Sequence, residues 1–279
     1  MSETNARFYD RIEFRIVESV KRAEPKKLPD GSILTTRKAN ISDARAMGLL
    51  PSVTTIIDEV LASGKGLSDW IIDQHIEACI EYPFDRPKTE EDVEAYKAMI
   101  YAKANEYRDV TADRGKFLHG EVSEWIQHAR EPSDPAATTM VYALNEFAER
   151  NHVIAMTSER CLGSAALGYA GTPDIWATTS SSGNILIDLK TTKLKGYKKP
   201  YDKWIFQLGG YQGLTCAEAE PCRLFQWVAD RDSGTSIFQE HDNSNETPMI
   251  GFRKILDLWC IIKDYYPMHY ATSKTNEAK

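Results

Sequence analysis

The chain has 279 residues, 42% of them hydrophobic, which suits one large domain or a core with an added helical part and supplies apolar material for a substantial interior. A formal net charge of -7 excludes a uniformly basic polyanion binder, so any such contact must be a local patch or run through metal ions. No apolar run is long enough to span a membrane. The opening MSETNARFYDRIEF lacks a secretory apolar region and is too acidic for a transit peptide, so the expected compartment is the cytoplasm.

Taken in order, β-like pieces lie at Arg11 to Val17 and Ser32 to Thr36, separated by Pro25, Pro29 and Gly31, which leaves a hairpin and an arm both open. Ser52 caps a predicted helix whose apolar stripe is Val53, Ile56, Ile57, Val60 and Leu61, broken by Gly64 and Gly66. Ser68 caps a second, with Trp70, Ile71 and Ile72. Thr89 caps a long helix to about Val110, with Tyr96, Ile100 and Tyr107 near one side; base stacking is open to these aromatics, but core packing is the favoured role. A helix over 112–129 carries His119 ahead of Val122 and Ile126. After a Pro/Ser/Asp loop, a helix over 139–150 leads to a strand, Val153 to Cys161.

Residues 171–211 carry the chemistry. A strand from Tyr169 to Thr178 contains Asp174, a turn follows at Ser180 to Asn184, and Ile185-Leu186-Ile187 begins a buried strand that continues to Thr191. Asp188 and Lys190 differ by two, so their side chains share a face. Two carboxylates make a hard oxygen site for Mg²⁺ or Mn²⁺, and a lysine beside them can orient an attacking water or stabilise developing charge. The tripeptide Asp-x-Lys alone is common enough to be an exposed strand end. Downstream, Lys193, Lys195, Lys198, Lys199 and Lys203 follow Lys190 and are expected to contact phosphates. On a helix over 202–219, Gln207 and Tyr211 share a face; Gln207 is expected to bond a phosphate, a base edge or a water, and Tyr211 to support the site. Two strands, Arg223 to Ala229 and Thr235 to Gln239, and a helix over 249–266 complete the chain, with a flexible tail over 271–279.

Gly171-x-x-Asp174, Asp188-Leu189-Lys190-Thr191 and Gln207-x-x-x-Tyr211, with Arg114-Gly115-Lys116-Phe117-Leu118-His119 and Pro51-Ser52-Val53-Thr54-Thr55-Ile56 upstream, resemble the RecB-type branch of the PD-(D/E)XK nuclease superfamily. Phage recombination exonucleases and the mitochondrial genome maintenance exonuclease are similar. The resemblance runs from about Pro51 to Tyr211. It implies an α/β fold with a restriction-endonuclease-like core, a mixed central β-sheet flanked by helices with a helical N-terminal addition. The expected division is 1–110 for the arm and helical region, 111–270 for the core and 271–279 for the tail. It also implies a metal held by His119, Asp174, Asp188 and the Leu189 backbone carbonyl, with Lys190 positioning water. Glu159 is weighed evenly between a site carboxylate and a solvated strand residue. Ser123 stands where the family often has Glu, with Glu121 and Glu124 nearby, so an acidic contribution from that helix stays open.

The implied function is a Mg²⁺- or Mn²⁺-dependent DNA exonuclease in recombination, repair or replication, working in a bacterial host's cytoplasm if phage-encoded. A structure-specific or restriction-like endonuclease and a catalytically silent DNA-binding subunit stay open. A single-strand annealing protein is an admissible partner, and a homo-oligomer an admissible state. The five cysteines, Cys79, Cys161, Cys216, Cys222 and Cys260, lack the clustering of an iron–sulfur site and are odd in number, so free thiols are expected. No Walker A pattern calls for ATP, and no Cys-x-x-Cys pair calls for zinc.

Overall fold

The computed structural model describes residues 6–28, 32–61, 65–83, 89–180, 183–195, 197, 199–215, 222–243 and 246–270. In chain order the elements are β1 (Phe8–Tyr9), β2 (Val20–Lys27), β3 (Ile33–Arg37), α1 (Ile41–Met47), β4 (Leu50–Pro51), α2 (Val53–Val60), α3 (Lys65–Glu81), α4 (Glu90–His128), α5 (Pro135–Arg150), β5 (Val153–Ser158), β6 (Leu162–Ser164), β7 (Tyr169–Gly171), β8 (Ile175–Thr179), β9 (Asn184–Thr192), α6 (Asp202–Thr215), β10 (Cys222–Asp230), β11 (Ser236–His241) and α7 (Thr247–Lys263). The architecture is α/β. A five-stranded mixed sheet runs in the order β11-β10-β9-β8-β5, with β5, β8 and β9 an antiparallel meander and β10 returning parallel to β9 after α6.

Each face of the sheet has its own buried cluster, because side chains alternate along a strand. Ile185, Ile187 and Leu189 of β9 join Phe225 and Trp227 of β10 beneath Leu118 of α4 and Met140 and Leu144 of α5. Leu186 and Leu224 join Val53 and Ile56 of α2, Leu208 of α6 and Phe252 and Trp259 of α7 on the other face. Phe8 lies in that second cluster too, so β1 is built into the same interior as the sheet. The 110/111 boundary falls inside α4.

Several local expectations hold. The Ser52 side chain accepts from Thr55 N–H at 2.9 Å to open α2, and Thr89 and Asp92 close a capping box on α4. A hairpin rather than an arm forms, but its first strand is β2, Val20–Lys27, which contains Pro25, and it pairs antiparallel with β3, Ile33–Arg37.

Others are corrected. Arg11 to Val17 is not a strand; only an isolated bridge, Tyr9 to Ile16, forms there. Gly66 and Ser68 lie within α3, which begins at Lys65, so neither breaks nor caps it. The two helices expected over 89–110 and 112–129 are one 39-residue α4, since no proline interrupts them. The strand expected over 169–178 is two, β7 and β8, separated at Thr172–Asp174, because Pro173 cannot donate to a ladder. The breaker Gly64, Lys198, residues 216–219, Cys216, two serines of the 180–184 turn and the 271–279 tail lie outside the described residues. Among the described residues no helix is long and apolar enough to cross a membrane, and Cys79, Cys161 and Cys260 are free thiols.

Candidate active site

The site forms where β8 stops pairing with β9. On β9, Leu186 faces the α2, α6 and α7 side, so Asp188 and Lys190, two and four residues on, face it as well. Polar groups there replace what would otherwise continue an apolar row. Asp188 is 1% exposed. Its carboxylate accepts from Lys190 Nζ at 2.8 Å and from Gln226 Nε2 at 2.6 Å. Gln226 stands opposite Asp188 in the parallel β9–β10 register and also donates to the Asp188 backbone carbonyl at 2.7 Å. It is fully buried.

The β8–β9 ladder ends at Ile175 against Ile187. Continued by two residues it would set Pro173 against Leu189, and a proline has no N–H to give. Asp174 fills half of that gap: its Oδ2 accepts from the Leu189 N–H at 2.7 Å. The N–H and C=O of one strand residue point to the same edge, so the Leu189 carbonyl faces the gap as well. The end of the ladder thus brings Asp174 to the β9 edge that the Leu189 carbonyl also faces.

Two further groups arrive from α4 and β5. His119 Nδ1 comes to 3.6 Å from Asp174 Oδ1, close but beyond hydrogen-bond reach. Glu159 follows the last residue of β5 in the left-handed region, φ 54°, unusual for a residue with a side chain. Its N–H donates to the Asp174 carbonyl at 3.2 Å. His119, Glu159, Asp174 and Leu189 line one small cleft with Ser123 and Ser158. Ser123, at the family's glutamate position, lies 2.8 Å from Ser158 Oγ, hydroxyl to hydroxyl.

The charges push one another apart. Burial pushes the Asp188 carboxyl up, Asp174's charge adds to it, and Lys190 and Gln226 oppose only in part. Burial also works against Asp174, but His119, Lys190 and the Leu189 N–H outweigh it and hold that carboxyl below its ordinary range. Lys190 is held above its usual value because the two aspartates more than offset its burial. Burial of the Glu159 carboxyl raises its pKa, with Asp174's charge adding to that, although the side chain still meets solvent, which screens the effect.

Helix α6 adds the remaining pair. Gln207 Nε2 donates to the Tyr211 hydroxyl at 3.1 Å. Tyr211 is buried, and burial followed by the Asp188 and Asp174 charges raises its phenol well above the ordinary value. A Cβ on Gly171 would lie 2.7 Å from the Tyr211 ring, which gives the first glycine of the motif a packing role. Gly115 does the same for α4, since a Cβ there would lie 2.8 Å from Thr191 Oγ1 of β9. Gly209 and Gly210 pack against Pro248, Val53 and Phe252, on neighbouring helices rather than the sheet.

Asp174, Asp188, Lys190, Leu189, His119, Glu159, Gln207 and Tyr211 therefore gather around one sheet end. Lys193, Lys195 and Lys199 are exposed on the loop after β9, whereas Lys203 is half-buried and paired with Asp58 of α2 at 3.2 Å. Gln226 and Asp58 escaped the reading of the sequence. Gln226 left a usable signal, a lone amide inside the apolar run Leu224 to Ala229. Asp58 left none, because its nearness to Lys203 and Lys190 depends on how α2 packs. Among the described residues no group of three or more His, Cys, Asp and Glu stands ready to hold a metal ion.

Neither a protein-family model nor a curated protein sequence matches the chain. Among solved structures, a protein described as a "putative exonuclease" from Eubacterium rectale is 12% identical, over 65% of this chain and 70% of that one, at a TM-score of 0.33. The protein SSO0001 is 14% identical, over 69% and 87%, at a TM-score of 0.28. At such scores neither match says anything of this chain's activity.

Proposed function

We propose that this chain is a divalent-metal-dependent deoxyribonuclease, and within that class an exonuclease acting on DNA in the cytoplasm during recombination, repair or replication. The observation that carries the reading is the pairing of buried Asp188 with half-buried Lys190 at the end of β9, with Asp174 held beside it on the Leu189 N–H.

The donor set suits a hard divalent ion. It offers two carboxylates, a backbone carbonyl without a ladder donor, and one imidazole, the last better matched to Mn²⁺ than to Mg²⁺. Asp174, Asp188, the Leu189 carbonyl and His119 would hold the ion, with Glu159 at the side. When bound it supplies Lewis-acid stabilisation of phosphate charge and a more acidic water. The chain's own groups do the rest. Lys190, kept protonated by both aspartates, places fixed positive charge where charge develops on the phosphate. Gln226 keeps the Asp188 carboxylate in one orientation, and the Gln207–Tyr211 pair closes the α6 side of the site. Exposed Lys193, Lys195 and Lys199 hold the DNA backbone without reading its sequence. The choice of exonuclease over endonuclease rests on the motif resemblance to recombination exonucleases, which also makes a single-strand annealing protein a fitting partner.

The test uses end-labelled linear DNA and a covalently closed circle, each with Mg²⁺, Mn²⁺ or EDTA. Linear DNA alone should be lost, only with metal, and Asp188→Ala and Lys190→Ala should each reduce the rate at least about a hundred-fold. Cutting of the circle as fast as the linear form would reassign the protein as an endonuclease. Binding without cleavage under every metal would leave a silent DNA-binding subunit.

A further inference from the structure

The loop between β9 and α6 carries aromatic rings that the catalytic groups do not use. Tyr201 is 52% exposed, a high value for so large an apolar surface. It is nonetheless held in place. Its backbone carbonyl accepts from the Trp204 and Ile205 N–H groups at 2.9 and 3.4 Å, opening α6. Its ring meets the Trp204 indole edge to face, centroids 4.7 Å apart at 85°. The Tyr197 ring lies nearly parallel to the Trp204 indole, at 19° and 6.4 Å between centroids. Three aromatic rings thus form one cluster at the start of α6.

Its position ties it to the site. Trp204, Gln207 and Tyr211 fall three and four residues apart, on one face of α6. Trp204 is therefore only about 10 Å along the helix axis from Tyr211. Lys193, Lys195 and Lys199 are exposed on the same connection, against one acidic side chain, Asp202, in the first turn of α6. In a chain of net charge -7, a run of exposed lysines beside an exposed ring complements a polyanion that also carries flat apolar faces.

We infer that Tyr201 and Trp204 form a stacking platform for the bases of single-stranded DNA, with Lys193, Lys195 and Lys199 taking its phosphates. The platform deepens the nuclease reading and rests on it for the direction in which the strand runs to the site. Bases within a duplex are already stacked on each other and offer the platform no face. A splayed single strand offers one at every nucleotide, and such stacking tolerates any sequence. The strand preference follows: this face selects single-stranded DNA over duplex.

The test measures affinity by fluorescence anisotropy in EDTA, where cleavage is stopped. The probes are an oligo(dT) strand, an abasic strand of the same length and a blunt duplex, at one salt concentration. Wild type should bind oligo(dT) more tightly than the abasic strand. Tyr201→Ala should weaken oligo(dT) binding roughly ten-fold and leave the abasic strand unchanged. Tyr201→Phe, which keeps the ring, should retain wild-type affinity, and the exposed position lets both variants fold; melting curves confirm it. Unchanged oligo(dT) binding in Tyr201→Ala, or an equal loss on the abasic strand, would overturn the platform. The two readings separate cleanly. If wild type cleaves with metal while Tyr201→Ala binds oligo(dT) normally, the platform falls and the nuclease stands. If no metal supports cleavage but the stacking losses appear, the platform stands without the nuclease.

Discussion

A carboxyl as deeply buried as that of Asp188 costs several kcal/mol to ionise unless its surroundings answer the charge. Lys190 and Gln226 answer it at 2.8 and 2.6 Å, and Asp174 works against them. Asp174 and Asp188 titrate as one system, the first pushed down and the second up, which gives two identical side chains different proton affinities. A second carboxylate, outside the cluster, decides where α4 lies. Asp134 caps α5 through the Ala136 and Ala137 N–H groups and binds Arg114 in two places, at 2.7 and 2.9 Å. Arg114 precedes the Gly115 contact with β9 and lies five residues before His119. The Arg114 hydrogen bonds hold the Asp134 carboxyl below its ordinary value. A depressed carboxyl stabilises the fold above its unfolded-state pKa, and the contribution is lost as pH falls through the folded value. Asp134→Ala should therefore cost about 1–2 kcal/mol at neutral pH. The gap from wild type should narrow below the ordinary aspartate range. Urea unfolding at several pH values measures it, and a gap that stays constant down to strongly acid conditions would remove the ion pair from the account.

At the level of elements, α6 is placed by what it lacks. A Cβ on Gly209 would lie 2.1 Å from the Pro248 carbonyl oxygen at the start of α7, a backbone atom that cannot rotate away. Gly209→Ala must push α6 and α7 apart, and α6 carries Gln207 and Tyr211. The expected cost is about 1–3 kcal/mol, set against the slight gain in helix propensity that alanine brings. Chemical denaturation gives the sign, and a stabilised variant would mean the helices are free to separate. The same element shows what a sequence can and cannot reveal. Gln207 and Tyr211 share a helix face by spacing alone, just as Asp188 and Lys190 share a strand face, so both pairs were legible. Caps at Ser52 and Thr89 were legible because a cap is local. The β6–β7 hairpin was hidden because its strands are three residues each and look like loop. Helix α1 is a seven-residue element, capped by Asn40 and Asp43, with too little periodicity to stand out. The partner of Gly209 lies about forty residues away in sequence, and no local pattern names it.

At the scale of the whole molecule, acidic charge gathers at one end of the sheet, with Asp188 almost wholly out of water and Asp174 partly so. Asp174, Asp188 and Glu159 meet at one sheet end, where Lys190 offers opposing charge to the aspartates and Arg7 to Glu159. If the proposed cation binds here it offsets the repulsion between these carboxylates, so binding and folding should be linked. An ion that binds the native state alone adds RT ln(1 + [L]/Kd), about 2.7 kcal/mol at a hundred times Kd. In a chain of this size that raises Tm by several degrees. Thermal unfolding with increasing Mg²⁺ or Mn²⁺ should show a saturable rise, larger for Mn²⁺ if His119 contributes a nitrogen ligand. Sodium chloride at matched ionic strength separates this from plain screening of the net -7 charge. Asp174→Asn should remove the saturable part while leaving the screening part, because the amide can still accept from Leu189 N–H but no longer offers the ion a charge. A rise that never saturates, or one that Asp174→Asn leaves intact, would place the cation elsewhere on the surface and take the metal out of this site.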